Sequence, residues 1–360
     1  MKRALAALAA AVLWFGGSAV AEARVYSFAG DHPPEALAET SMAVAEGETD
    51  VTLTFAGDCT LGGDAAGAKR FARAIKAEGA AFPFANLQSL FAKDDLTLVN
   101  LEGVLSDRKL DRVPKSFNFK GSTDYTQILV QGSVEAVTLA NNHAMDYGDA
   151  GKADTVAALN AANIAYCDEN TVLLVEKNGV RIGITASVMG LDQAKFERQA
   201  EALRALGCTA IVHVMHMGVE YARAISPAQR STARFLAANG VALIVGHHPH
   251  VAQGLEVIGN TMVAYSLGNC VFGGNADPKD YDAATLRATF HFSNGALESV
   301  TVTLWPIRVS GKSRGNDYQP VLLSGADAAR VIDKMQATSA FTLAPFLQGQ
   351  GAVQPEVSLR

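Results

Sequence analysis

Short apolar runs recur along the chain at residues 51–56, 96–101, 136–140, 182–188, 210–215, 241–245 and 262–267, each closed by a polar or glycine-rich turn. Their length and their Val, Ile and Leu content predict strands buried on both faces. Segments of helical character fall between several of them, at 65–76, 151–161, 194–206 and 227–239. The last opens on Ser226-Pro227, a cap followed by a residue suited to the first turn. Strands alternating with helices predict α/β layering. Residues 285–292 and 299–305 alternate more cleanly around Ser293-Asn294-Gly295, which predicts an antiparallel hairpin and therefore mixed sheets. One further helix is expected near 326–335, and the tail beyond it carries no assignable pattern.

The N-terminal end follows different rules. Lys2 and Arg3 precede an apolar run over 4–15, then Gly16-Gly17-Ser18 and Ala19-Val20-Ala21, the layout of a secretory signal cleaved after Ala21. The run is shorter than the ~20 apolar residues that span a bilayer. A periplasmic or secreted protein is the expectation. Residues 22–50 hold seven acids, one arginine and Pro33-Pro34, and read as a solvated lead-in strand or linker. The division expected is 1–21 signal, 22–50 lead-in, 51–310 main domain and 311–360 C-terminal extension.

Composition narrows the function classes. With 49 % hydrophobic and 18 % charged residues in 360, the chain has material for a large core, which excludes a disordered or fibrous protein. The net charge of −6 becomes −8 without the leader (28 bases against 36 acids), and no basic run interrupts it. Nucleic acid is therefore not an expected partner. Cys59, Cys167, Cys208 and Cys270 show no Cys-x-x-Cys spacing. They read as buried thiols, with a Cys59–Cys270 pair open only if those two loops meet.

Polar residues able to bind metal follow directly after the strand-like runs, where loops of α/β proteins converge. Asp58 and Glu102 each end a strand; alone each is an ordinary cap or surface acid, but together they are two hard oxygen ligands. Asn141-Asn142-His143 follows the third run, with Asp146 placed to orient the imidazole. Consecutive buried amides need partners, so packing explains them poorly. In the fourth segment His213 reads as a satisfied core histidine and His216 as the ligand candidate, with Glu220 either supporting or solvated. Gly246-His247-His248-Pro249-His250 is the strongest signal: in extended backbone His248 and His250 project to one side. Six of the eight histidines lie in these segments. The mixed nitrogen and oxygen set suits Zn, Mn or Fe.

Gly57-Asp58, Asn100-Leu101-Glu102, Asn141-Asn142-His143 with Asp146-Tyr147-Gly148, His216-x-Gly218-x-Glu220, the histidine loop with Gln253-Gly254-x-Glu256, and Tyr265-Ser266-Leu267-Gly268-Asn269 occur in an order that resembles the CapA family of capsule and poly-γ-glutamate synthesis proteins. The likeness covers roughly residues 51–275. It places the chain with calcineurin-like metallophosphoesterases, and so implies a four-layer α/β/β/α sandwich around two divalent cations. It also implies Asp58, Glu102, Asn142, His216, His248 and His250 as ligands, His143 as acid with Asp146 behind it, and Asn141, Glu220 and His247 in support. The sequence departs from the pattern in three places. Thr60 stands where the wider superfamily has a histidine, and Cys270 where an aromatic residue is usual. The histidine loop is one residue longer than Gly-His-x-His, so His247 and His248 remain alternatives.

The expected activity is metal-assisted hydrolysis of an anionic cell-envelope or capsule polymer, or of a small anionic substrate, with His143 protonating the leaving group. Two alternatives stand beside it: a non-catalytic metal-binding member of a capsule-synthesis or export complex, and an amidase or peptidase acting on γ-glutamyl bonds. Lys115 and Lys120 read as ordinary surface residues, with local neutralisation of an anionic substrate as their alternative role.

Overall fold

The structure, a computed structural model, describes residues 23–30, 34, 37 and 46–358. The leader assigned to residues 1–21 lies outside them. Among the described residues no helix is long and apolar enough to cross a membrane.

The chain begins with β1 (Arg24–Ala29) and β2 (Glu48–Thr60), then α1 (Ala65–Glu78), α2 (Gln88–Phe91), β3 (Leu96–Leu101), β4 (Val104–Leu105), β5 (Lys120–Gly121) and α3 (Thr126–Gln131). It continues through β6 (Ala136–Thr138), α4 (Gly148–Ala161), β7 (Ala165–Cys167), β8 (Thr171–Lys177), β9 (Val180–Val188), α5 (Gln193–Ala205), β10 (Ala210–His216), α6 (Pro227–Ala238) and β11 (Leu243–His247). The remaining elements are β12 (Leu255–Ile258), β13 (Thr261–Ala264), β14 (Asn269–Phe272), β15 (Asp282–Ser293), β16 (Ala296–Arg308), β17 (Val321–Leu322), α7 (Gly325–Gln336), β18 (Ala352–Val353) and β19 (Val357–Ser358).

Two mixed sheets carry the fold. The first runs β1-β8-β9-β10-β11-β13-β12 and the second β17-β16-β15-β2-β3-β6-β7, with β14 beside β2 and both β18 and β19 beside β16. In the first, β9, β10, β11 and β13 are parallel. In the second, β2, β3, β6 and β7 are parallel. The expected hairpin is β15 against β16, antiparallel. Ser226 caps α6 as expected, its hydroxyl accepting from Gln229 N at 3.2 Å while Gln229 Oε1 accepts from Ser226 N at 2.9 Å.

The period of two along each strand sends alternate residues to different cores. Leu96 and Leu98 of β3 and Val212 and Val214 of β10 belong to one cluster with Leu53, Ile184 and Val245, drawn from both sheets. Their neighbours turn away. Val99 joins Phe71 of α1 and Leu159 of α4, and Ile211 and Met215 join Phe196 of α5 and Leu236 of α6. Strands clad on both faces explain the unbroken apolar runs.

Residues 24–29 take the strand form of the expected lead-in, but they are not solvated. They form β1, antiparallel to β8, with Val25, Tyr26 and Phe28 buried. The acids around this segment mask its alternation, and its partner strand begins at Thr171. The tail also acquires structure by pairing with β16 rather than from a pattern of its own.

Candidate metal centre

Continuing the alternation of Leu96 and Leu98 one step up β3 reaches Asn100, and that of Val212 and Val214 up β10 reaches His216. The face that builds the core between the sheets therefore ends in polar groups, and the two side chains meet, Asn100 Nδ2 standing 3.2 Å from His216 Nδ1. Asp58 enters from β2 because Gly57 lets β14 press close: a Cβ there would lie 2.0 Å from Gly268 O, and Asp58 N donates to that carbonyl at 2.9 Å. Only glycine fits such an approach.

The histidine loop closes over these groups from the other sheet. His248 N donates to Asp58 Oδ2 at 3.3 Å, and His250 Nδ1 lies 3.1 Å from the same oxygen and 2.9 Å from Asn269 Oδ1. The loop is not extended, contrary to expectation: φ is +95° at His248 and +56° at His250. Proline's preference for an extended predecessor is overridden by the bonds to Asp58 and by Tyr221 N donating to Pro249 O at 2.7 Å. The imidazoles still converge, their centroids 6.0 Å apart. His247, at the end of β11, points Nδ1 toward Asp58 Oδ1 at 3.4 Å.

Glu102 sits at the centre. It is fully buried, and neither carboxylate oxygen has a hydrogen-bond partner. His143 Nε2, His216 Nε2 and His250 Nε2 stand 3.8, 3.9 and 3.8 Å from its Oε1. These separations are too long for hydrogen bonds and suit donors sharing a cation, which lie about 3–4 Å apart around bonds near 2.1 Å. Asp58, Glu102 and His250 can each turn one donor atom to a common point, and so can Glu220, His248 and His250. Both ring nitrogens of His247 and Nδ1 of His248 are also buried without partners. A buried carboxylate and imidazoles left unsatisfied form a costly arrangement that a divalent cation resolves, so the residues present fit a metal centre.

Electrostatics follow from this crowding. Burial pushes the Glu102 carboxyl upward, helped by the charges of Asp58, Glu220 and Asp146 and opposed by His250. Burial also works against the charge on Asp58, yet the neighbouring imidazoles of His247 and His250 hold it well below the usual carboxylate range. His216 is driven well below its ordinary value by burial, which keeps its imidazole neutral as a ligand requires.

The Asn-Asn-His segment brackets the site from β6. Asn141 Nδ2 donates to Asn100 Oδ1 and to Leu101 O, both at 2.9 Å, and its Oδ1 accepts from His143 N at 3.1 Å. Asn142 Oδ1 lies 2.8 Å from His216 Nε2. His143 stacks on Phe119 with ring centroids 4.1 Å apart, and its Nδ1 meets Asp146 Oδ2 at 2.7 Å. Burial lowers the His143 pKa, with Asp146 opposing.

All the candidate residues converge, and Glu220 alone among them is exposed. Two others join them that the sequence reading assigned no role. Asn100 donates to Asp58 Oδ1 at 2.8 Å while accepting from Asn141, and Asn269 holds the outer nitrogen of His250. Both stood within the motif, and only the alternation past the core marks Asn100. Lys115 is no idle surface residue: its ammonium pairs with Asp146 Oδ1 and donates to Asn142 O at 2.7 Å. Lys120 instead donates to Arg108 O. Cys59 and Cys270 do meet, since β14 lies beside β2, and all four cysteines are buried free thiols.

The chain is similar to known proteins over the region that carries these residues. The family described as "Bacterial capsule synthesis protein PGA_cap" matches residues 52–274, a span containing every residue of the cluster. "Capsule biosynthesis protein CapA" of Bacillus anthracis is 27 % identical over 251 residues, 62 % of this chain and 60 % of that protein. "PGA biosynthesis protein CapA" of Bacillus subtilis (strain 168) is 25 % identical over 259 residues, 65 % of this chain and 67 % of that protein. The match thus spans less than two thirds of the Bacillus anthracis relative.

Proposed function

The chain belongs to the PGA_cap family of bacterial capsule synthesis proteins, and from that premise we propose that it is an exported metal-dependent hydrolase acting on an anionic cell-envelope or capsule polymer. In this reading the two sheets and their flanking helices are the α/β/β/α layers of a metallophosphoesterase, and the bare carboxylate of Glu102 is the observation that carries the function. Asp58, Glu102, Asn142, His216, His248 and His250 would hold two cations, Zn, Mn or Fe, with Glu220 and His247 beside them. When bound, such cations polarise the scissile group and activate an attacking water.

The chain's own residues supply the rest. Asp146 fixes the His143 ring through Nδ1, Lys115 neutralises the other Asp146 oxygen, and Phe119 supports the ring face. Nε2 is left toward Glu102 and the centre, where it can deliver a proton to a leaving group. Asn141 sets the backbone of that segment and Asn100 fixes the Asp58 carboxylate.

The names of the relatives speak of biosynthesis, which supports a second reading: a metal-binding accessory of a capsule-synthesis complex without turnover. The test is metal analysis of the purified protein, followed by incubation with a phosphodiester, a phosphomonoester and a γ-glutamyl polymer. Bound metal with cleavage of one of them upholds the hydrolase. Bound metal with no cleavage selects the accessory reading, and a protein that holds no divalent ion overturns both.

A further inference from the structure

Glu220 lies on the loop 217–225 between β10 and α6, which holds no helix or strand, so the course of that loop is set by bonds to other segments. Met217 N donates to His247 O at 3.1 Å at its start, and Tyr221 N to Pro249 O at 2.7 Å further on. Gly218 has φ +135°, and a Cβ there would stand 3.0 Å from Pro249 Cγ and 3.1 Å from Gln229 Cδ, so glycine is what lets the loop pass so close. The far end is held by a side chain. Gln253 Nε2 donates to Ala222 O at 2.9 Å and to Ala224 O at 3.2 Å, while its Oε1 accepts from Gln229 Nε2 at 2.9 Å. Gln229 is fixed in turn by the Ser226 cap of α6. Both glutamines are fully buried. Two donors and an acceptor at one position are what a carboxamide supplies and what an acid or a hydrocarbon does not.

The donor groups of the centre depend on this loop. The triad Glu220, His248 and His250 and the triad Asp58, Glu102 and His250 share one imidazole. Its Nδ1 already faces Asn269 Oδ1 and Asp58 Oδ2. A second cation therefore relies on His248 and Glu220 for donors that the first leaves over, and Glu220 is the only anion of that triad. Resting on the two-cation reading above, we propose that Glu220 is a ligand of the second cation and that Gln253, paired with Gln229, is the positioning residue that holds the Glu220 loop over His248 and His250. Gln253 acts through the loop rather than on the cation. Its place in the Gln253-Gly254-x-Glu256 motif thereby acquires a physical reason, because the two carbonyls it binds close the segment that carries the ligand.

Titration of the metal-stripped protein with manganese(II), the bound ions counted from the loss of the free-ion EPR signal, tests this without turnover. Wild type should take up two ions. Glu220→Gln, at an exposed position where substitution leaves the fold intact, should keep the first ion and weaken the second. Gln253→Met should weaken the same ion roughly 10–100-fold. The double variant should bind it no more weakly than Glu220→Gln alone, since Gln253 acts only by placing Glu220, whereas a glutamine with a separate structural role would add its own loss. Gln253→Asn keeps the amide but withdraws it by one methylene, and gives the same reading should the Met variant not fold. Unchanged affinity for the second ion in Glu220→Gln or in the Gln253 variant, or losses that add in the double variant, overturns the inference and leaves the hydrolase reading standing. A wild type that binds a single ion overturns it while the metal centre survives, and one that binds none removes both.

Discussion

His213 and His216 lie three residues apart on one strand and are both buried, yet they occupy opposite chemical situations. His213 faces the helical layer, where Thr185 Oγ1 meets its Nδ1 at 2.8 Å and Ser187 Oγ its Nε2 at 2.9 Å. Burial drives its pKa down to about 3, so it is a neutral, fully partnered core residue. His216 faces the gap between the sheets, one of three imidazoles around a carboxylate with no hydrogen bond. Burial and residue type are shared, so neither marks a functional site. What separates the two regions is whether the hydrogen-bonding capacity of the buried groups is met by the protein itself.

The largest effect should come from removing the unmet group. Glu102→Gln keeps the shape but replaces an anionic donor with an amide, and should abolish stoichiometric metal binding, read by elemental analysis. Full metal content in this variant would erase the distinction between the two regions. Next, His143→Ala should lower turnover by roughly 10²–10⁴ while leaving metal content intact, because its role is proton transfer. Equal turnover in wild type and variant would remove that role.

On the other side of the comparison, His213→Ala should cost about 1–3 kcal/mol of stability, since Thr185 and Ser187 lose their partner in the core, with no change in metal content. A denaturant titration measures this. The sign of the pH dependence follows from a folded-state pKa depressed below the unfolded value near 6.5. The His213 contribution is present above that value and is lost as pH falls toward 3, so the variant should show a flatter acid limb.

The smallest effect is expected at Glu135, the residue before β6 and not one of the residues of the metal centre. Burial pushes this carboxyl up to about 8, although it accepts a hydrogen bond from Thr97 N at 2.8 Å. An acid whose folded pKa is raised contributes its stability below the unfolded value and loses it as pH rises through about 8. Glu135→Gln keeps an acceptor for Thr97 and should raise the melting temperature by a few degrees at pH 9 and by nothing measurable at pH 5. Equal shifts at both pH values would show that burial of the charge is not the cause.

Much of the frame was legible beforehand. Run 96–101 coincides with β3, and the helix predicted over 227–239 is α6 with its cap. Apolar periodicity and capping are local, so they survive without knowledge of neighbours. The strand expected over 241–245 is observed over Leu243–His247 because its end is set by pairing with β10 and β13. The burial of β1 was hidden for the same reason, its register being fixed by a strand far along the chain. Candidate ligands were readable as residue types out of place after strands, but Asn269 carries no such mark and acquires its role only by facing His250. The extended geometry expected at His248 and His250 failed because tertiary bonds outweigh a local preference of proline.

The sequence by itself determined which residues are apolar in period, where helices start, and which polar side chains able to bind a cation follow the strands. Those are properties of neighbours along the chain. Only tertiary structure decided that Thr185 and Ser187 are the groups that satisfy His213 while Glu102 is left without a partner, that Gly57 admits β14, and that Lys115 reaches Asp146. Hydrogen-bond satisfaction depends on which distant groups share a given volume, and that is fixed by how the two sheets pack, not by any one segment.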